Sequence, residues 1–174
     1  MSKIGFIGAG NMGGALAIAA SKTDCTVYVS DPDVAKAAAL CQSIGAAQVD
    51  NDTVCAECDL IYLGVKPQML AGVAEQLLPA LQARSTPYCL VSMAAGVTLA
   101  RLGELFPDAA VIRIMPNTPV AVGAGMILYK EGSVKIQCGK APFQLCHEIS
   151  LRESGELVER SISDPEGKQL LRVA

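Results

Sequence analysis

Lys3-Ile4-Gly5-Phe6-Ile7-Gly8-Ala9-Gly10-Asn11-Met12-Gly13 is the stretch that decides the fold. Lys3–Ile7 reads as a short apolar strand, and the Ala-rich run Asn11–Ser21 reads as a helix. Between them Gly8, Gly10 and Gly13 stand in the spacing G-x-G-x-x-G. That spacing alone is a weak signal, but directly after a strand and at the opening of a helix it reads as a dinucleotide-binding loop. The first glycine permits the tight turn, the second lets a pyrophosphate approach the backbone, and the third lets the helix pack on the strand. The free N–H groups near Asn11 and Met12 then face the anion with the helix dipole behind them.

Working outward, the same alternation continues. Thr26–Val29, Leu60–Leu63, Tyr88–Ser92 and Ala110–Met115 are short β-branched or apolar runs, with Met126–Tyr129 as one further candidate. Helical patterns separate them: Asp33–Ile44, one turn within Asp52–Glu57, Pro67–Ala83 and Leu99–Phe106. Asp33 is placed to cap its helix and Gly45 to close it, and Pro67 suits a first turn. Strands apolar along their whole length imply burial on both faces. Strand and helix in strict alternation then predict an α/β, doubly wound, mainly parallel sheet, a Rossmann fold with an irregular C-terminal tail.

Composition bounds the rest. The chain has 174 residues, 51% of them hydrophobic, and a formal net charge of −3. With no basic excess and no Trp, neither nucleic acid nor an anionic membrane surface is an expected partner. No apolar run is long enough to span a bilayer, and the short, Gly-broken start does not read as a secretion signal. Seven Cys, several inside apolar segments, read as reduced thiols of a cytoplasmic protein. Residues 129–174 hold 14 of the 31 charged residues, a shift that divides the chain into a dinucleotide-binding unit, 1–128, and an atypical charged tail, 129–174, that completes a sheet edge. Within that tail Glu156–Ile162 offers a helical turn or two.

Asp31, at the end of the second strand, has two readings. An acidic residue there accepts hydrogen bonds from the adenosine ribose and repels a 2′-phosphate; equally, Asp31-Pro32 starts a turn. Ser30 beside it is a donor suited to a phosphate. NAD and NADP both stay open at this point. Ligands in such sheets sit outside the carboxyl ends of the strands. Those ends read Gly64-Val65-Lys66-Pro67-Gln68, Ser92-Met93-Ala94-Ala95-Gly96-Val97 and Arg113-Ile114-Met115-Pro116-Asn117-Thr118-Pro119.

These segments carry a resemblance. Phe6-Ile7-Gly8-Ala9-Gly10-Asn11-Met12, Val65-Lys66-Pro67-Gln68, Ala94-Ala95-Gly96-Val97-Thr98 and Met115-Pro116-Asn117-Thr118-Pro119 stand in the order and spacing of pyrroline-5-carboxylate reductases. The resemblance covers residues 1 to about 128. It implies reduction of the cyclic imine Δ1-pyrroline-5-carboxylate to L-proline by NADPH or NADH. It also implies cofactor contacts at Gly8, Ala9, Gly10, Asn11, Met12 and Gly13 for the pyrophosphate, and at Ser30, Asp31 and Asn51 for the adenosine half. Val65, Lys66, Met93, Ala94 and Ala95 fall on the nicotinamide side, and Asn117 on the substrate side. In that family an all-helical domain follows, builds the homo-oligomer and supplies substrate-binding and proton-donating residues. Residues 130–174 do not match it, so the expectation is the cofactor-binding part of a reductase. The alternatives are a non-catalytic dinucleotide-binding module, and a domain of an NAD-dependent hydroxyacid dehydrogenase.

Other constellations read as structural. Cys55-Ala56-Glu57-Cys58 is a C-x-x-C without a second pair at zinc spacing, and reads as two small residues on a helical turn. Cys138, Cys146 and His147 lack a fourth ligand at a usual spacing, so no metal is expected. Arg84 and Arg101 read as exposed helix ends or faces, and Arg113, inside a strand, needs a partner if buried.

Overall fold

The computed structural model describes residues 2–117, 119–120, 127–131, 162–163 and 169–171. The first strand is β1 (Ser2–Ile7), followed by α1 (Asn11–Ala20), β2 (Cys25–Ser30), α2 (Val34–Ile44), β3 (Ala47–Gln48) and α3 (Asn51–Glu57). Then come β4 (Leu60–Leu63), a 3₁₀ turn at Pro67–Met69 running into α4 (Leu70–Gln82), β5 (Cys89–Ser92), α5 (Leu99–Leu105) and β6 (Ala110–Pro116). Two more pieces are β7 (Ile127–Glu131) and the ribbon of β8 (Ile162–Ser163) with β9 (Gln169–Leu171). The main sheet has the order β3-β2-β1-β4-β5-β6-β7. Its first six strands pair in parallel, and β7 closes the edge antiparallel to β6. β8 and β9 form a separate antiparallel pair. Of the helical turn expected in Glu156–Ile162, only Ile162 lies among the described residues, and it is in a strand.

The parallel sheet needs cover on both sides and has it. Ile61, Leu63, Leu90 and Val111 face α3, α4 and α5, with Val54, Leu77, Leu102 and Phe106 packed on them. Phe6, Val27, Val29, Val91 and Ile112 face α1 and α2, with Leu16, Ala17, Ala37 and Cys41 packed on them. Each such fully buried aliphatic side chain contributes on the order of 2 kcal/mol. Gly5 in β1 is what lets α3 lie close: a Cβ there would reach Cys58 Sγ at 2.8 Å.

Helix ends follow local chemistry. Asp33 caps α2 through Lys36 N–H at 3.1 Å, and Gly45 ends it at φ 68°, as the sequence suggests. Two features were not foreseen. Asp50 caps α3 through Thr53 N–H at 2.8 Å, which starts that helix earlier and makes it longer than the single turn expected. Strand β3 is only two residues at the edge, too short to leave a pattern.

Arg84 corrects its reading outright. Its side chain is 4% exposed. Nη1 donates to the carbonyls of Cys55 at 2.8 Å and Cys58 at 2.5 Å, the carboxyl end of α3. Nε donates to Thr86 Oγ1 at 2.8 Å and Thr86 O at 3.1 Å, and Nη2 to Pro87 O at 3.3 Å. The guanidinium lies 5.4 Å from the Tyr88 ring centroid. It is a clamp that ties the end of α3 to the segment before β5. Arg101 is exposed as expected, paired with Glu104 one helical turn on.

Candidate functional site

The strand order reverses between β1 and β4: the chain leaves β1 for one face of the sheet and β4 for the other. The crevice that opens there is the usual ligand position in such sheets. The glycine loop sits in it. Gly8 extends β1 by donating to Ser30 O at 2.8 Å, and Gly64 extends β4 by donating to Ile7 O at 2.8 Å. Gly8 has φ +105°, and a Cβ on it would lie 2.6 Å from Gly64 O. A Cβ on Gly13 would run into Gly8 O. Both glycines are therefore demanded by the fold.

Gly10 is different. Its φ of −63° and ψ of −177° suit any residue, and a Cβ there would meet nothing within 4 Å. It is also the N-cap of α1, yet it offers no side-chain cap, and the first turn holds no acidic residue. Side-chain caps are present on α2, α3 and α5, from Asp33, Asp50 and Thr98, and absent from α4 and the 3₁₀ turn before it. The first intrahelical bond of α1 is Gly14 N–H to Gly10 O at 2.7 Å. The amides of Asn11, Met12 and Gly13 thus point out of the helix start with nothing capping them, as an anion site requires. These features fit a pyrophosphate: open space at Gly10 and uncapped donors beside it.

The other expected site residues lie at the same carboxyl edge. Asp31 Oδ2 accepts from Ala9 N–H at 2.6 Å, and its Oδ1 from Asp33 N–H at 2.8 Å. It starts the turn, as the second reading has it, and also braces the glycine loop. Ser30, 7% exposed, donates its hydroxyl proton to Asn51 Oδ1 at 2.7 Å. That spends the donor expected to be available to a phosphate. Val65 packs against the core, and Lys66 beside it is exposed at the N-terminus of the 3₁₀ turn. After β5, Met93 is half-buried, Ala94 is 2% exposed and Ala95 is exposed. Ala94 N–H turns inward to Ser92 Oγ at 3.4 Å. Asn117, exposed just past β6, accepts Val120 N–H at 3.2 Å. Arg113 is partly buried, and its Nε is the one buried side-chain nitrogen or oxygen among the described residues without a hydrogen-bond partner. Sequence reasoning assigned no role to Gly64; its signal was the small residue directly after a strand.

The C-x-x-C is core. Cys55 and Cys58 are both fully buried. Burial pushes the Cys55 thiol up to about 11 and the Cys58 thiol up to about 12, with Arg84 pulling slightly the other way. The folded chain therefore keeps protons that the unfolded chain releases above about pH 9, so stability falls as pH rises through that window. In the native protein at pH 8, iodoacetamide is expected to spare both thiols and to label half-buried Cys25 and Cys89 before them, read by mass spectrometry. Among the described residues no three His, Cys, Asp or Glu side chains form a metal-sized group. Cys138, Cys146 and His147 lie outside those residues. No described helix is long and apolar enough to cross a membrane.

Comparison with known proteins gives the same picture. The pyrroline-5-carboxylate reductase of Escherichia coli is 38% identical over 130 residues, which is 71% of this chain and 47% of that protein. The solved pyrroline-5-carboxylate reductase of Coxiella burnetii superposes with a TM-score of 0.67 at 28% identity, covering 76% of this chain and 50% of the other. The Plasmodium falciparum pyrroline carboxylate reductase, solved with NADP bound, gives 0.64 at 25% identity, covering 76% and 48%. The chain spans about half the length of the relatives it matches. A family model described as "NADP oxidoreductase coenzyme F420-dependent" matches residues 3–96, from β1 through the loop after β5, and the chain belongs to that family.

Proposed function

We propose that this chain is the cofactor-binding part of a reductase that converts Δ1-pyrroline-5-carboxylate to L-proline with NADH or NADPH. The observation that carries the reading is Gly10, a glycine the fold does not need, set before a helix start left uncapped. The resemblance of four motifs to those of pyrroline-5-carboxylate reductases, and the likeness to relatives and solved structures of that name, support this choice of substrate.

In this reading residues 1–128 form the dinucleotide unit. The amides of Gly10 to Gly13 hold the pyrophosphate, with Gly8 and Ala9 shaping the turn beneath it. Asp31, Ser30 and Asn51 border the adenosine ribose. Val65, Lys66, Met93, Ala94 and Ala95 line the nicotinamide side, and Asn117 faces the substrate. The nicotinamide, when bound, supplies the hydride. A protonated cyclic imine already accepts hydride readily, so the protein's contribution is chiefly position and exclusion of water. Ala94 and Ala95 carry short side chains that leave room beside a flat ring. Free thiols suit a cytoplasmic protein, and in this reading a further helical domain would build the homo-oligomer.

Mixing the purified chain with NADH and NADPH, and following both binding and imine-dependent oxidation, tests the reading. Binding with turnover is the expected result for a complete reductase. Binding without turnover identifies a dinucleotide-binding module, the second reading. A folded chain that binds neither cofactor overturns both.

A further inference from the structure

The structure bears on which dinucleotide the loop accepts. Asp31 is half-buried at the end of β2, and its carboxylate is held on both oxygens: Ala9 N–H on Oδ2 at 2.6 Å and Asp33 N–H on Oδ1 at 2.8 Å. An ionised carboxylate accepts about four hydrogen bonds. Two are spent on the backbone, and one acceptor position is left on each oxygen. Two adjacent acceptors match the two adjacent hydroxyls of an unmodified ribose.

The same pinning tells against a 2′-phosphate. That group carries a charge of about −1.5 to −2 near neutral pH. Turning Asp31 away from it leaves Ala9 N–H without its partner. Asp33, exposed two residues on, adds a second negative charge. The neutral donor at this strand end is committed, because the Ser30 hydroxyl donates to Asn51 Oδ1. Lys36 is the cation on the same turn; it is exposed and makes none of the ion pairs among the described residues. One flexible, solvated ammonium offsets a pinned carboxylate poorly.

We infer that Asp31 makes this chain select NADH over NADPH, by a carboxylate locked onto the glycine loop that accepts a ribose diol and repels a 2′-phosphate. The inference rests on the dinucleotide reading above and runs against the "NADP" of the family's description. It also makes Asp31 a positioning residue for the loop through Ala9.

The test is the dissociation constant of the full chain for each cofactor, from the fluorescence anisotropy of NADH and NADPH. Wild type, Asp31→Ser and Asp31→Asn are compared, with a circular dichroism melt for each; Asp31→Asn removes the charge but keeps an acceptor for Ala9 N–H. Wild type is expected to bind NADH at least about tenfold more tightly, a difference of about 1.4 kcal/mol. Each substitution is expected to cut that ratio about tenfold or more, and salt at about 1 M is expected to narrow it in wild type. Wild type binding NADPH as tightly as NADH overturns the inference alone, as does an unchanged ratio in a folded variant. A folded wild type that binds neither overturns the dinucleotide reading with it.

Discussion

Gly10→Asp is expected to weaken dinucleotide binding about a hundredfold or more while leaving the melting temperature level or slightly higher. The backbone at Gly10 is extended, with φ −63°, and space around its Cβ position is open, so the side chain meets no clash. Aspartate is among the preferred N-caps and places a negative charge at the positive end of α1; against glycine this is worth a few tenths to about 1 kcal/mol. The same carboxylate takes the amide donors that a pyrophosphate needs and sets a like charge beside it. Loss of two charge-assisted hydrogen bonds at about 1.5–3 kcal/mol each accounts for the change in affinity. Calorimetric titration with NADH, beside a thermal melt, separates the two effects. Unchanged affinity in the folded variant removes the anion site at α1 and with it the proposed function.

Arg84→Met is expected to destabilise the fold by about 3–5 kcal/mol, lowering the melting temperature by roughly 10 °C, while NADH affinity at a temperature where the variant is folded stays near wild type. The side chain is 4% exposed and donates to the carbonyls of Cys55, Cys58, Thr86 and Pro87. Methionine replaces the stem but leaves the carboxyl end of α3 without donors. Arg84→Lys is expected to rescue less than half of the loss, since one ammonium cannot span carbonyls that a planar fork reaches from three nitrogens. A stability change under 1 kcal/mol in urea titration would count against the clamp.

These two residues also mark how far the sequence could be read. The loop at Gly8–Gly13 was legible because its logic is local: a strand, a glycine spacing and a helix within a dozen residues. The caps Asp33 and Gly45 and the apolar strands were legible for the same reason. Arg84 was not, because its partners Cys55 and Cys58 are distant in sequence and a lone arginine after a helix looks like any solvated helix end. Gly64 was invisible as a partner of Gly8 until the β1–β4 pairing brought their backbones together. Asp31 shows the intermediate case. Its place in a turn was named from position alone and the bond from Asp33 bears it out, but the bond from Ala9 that ties the carboxylate to the glycine loop was not foreseen. Ser30 went the other way, its hydroxyl turned toward Asn51 and away from duty at a phosphate.

The strand order has a consequence for how the chain is made. β1 is synthesised before both of its neighbours, yet it is the inner strand between β2 and β4. It has β2 to pair with early, while its other edge stays open until Leu63 is translated opposite Ile7. At about 5–20 residues per second that interval is several seconds. Throughout it, an apolar strand with one bare edge and the half-built glycine turn are presented together to chaperones and to other nascent chains. The order of synthesis thus leaves one edge of β1 unpaired until β4 is made.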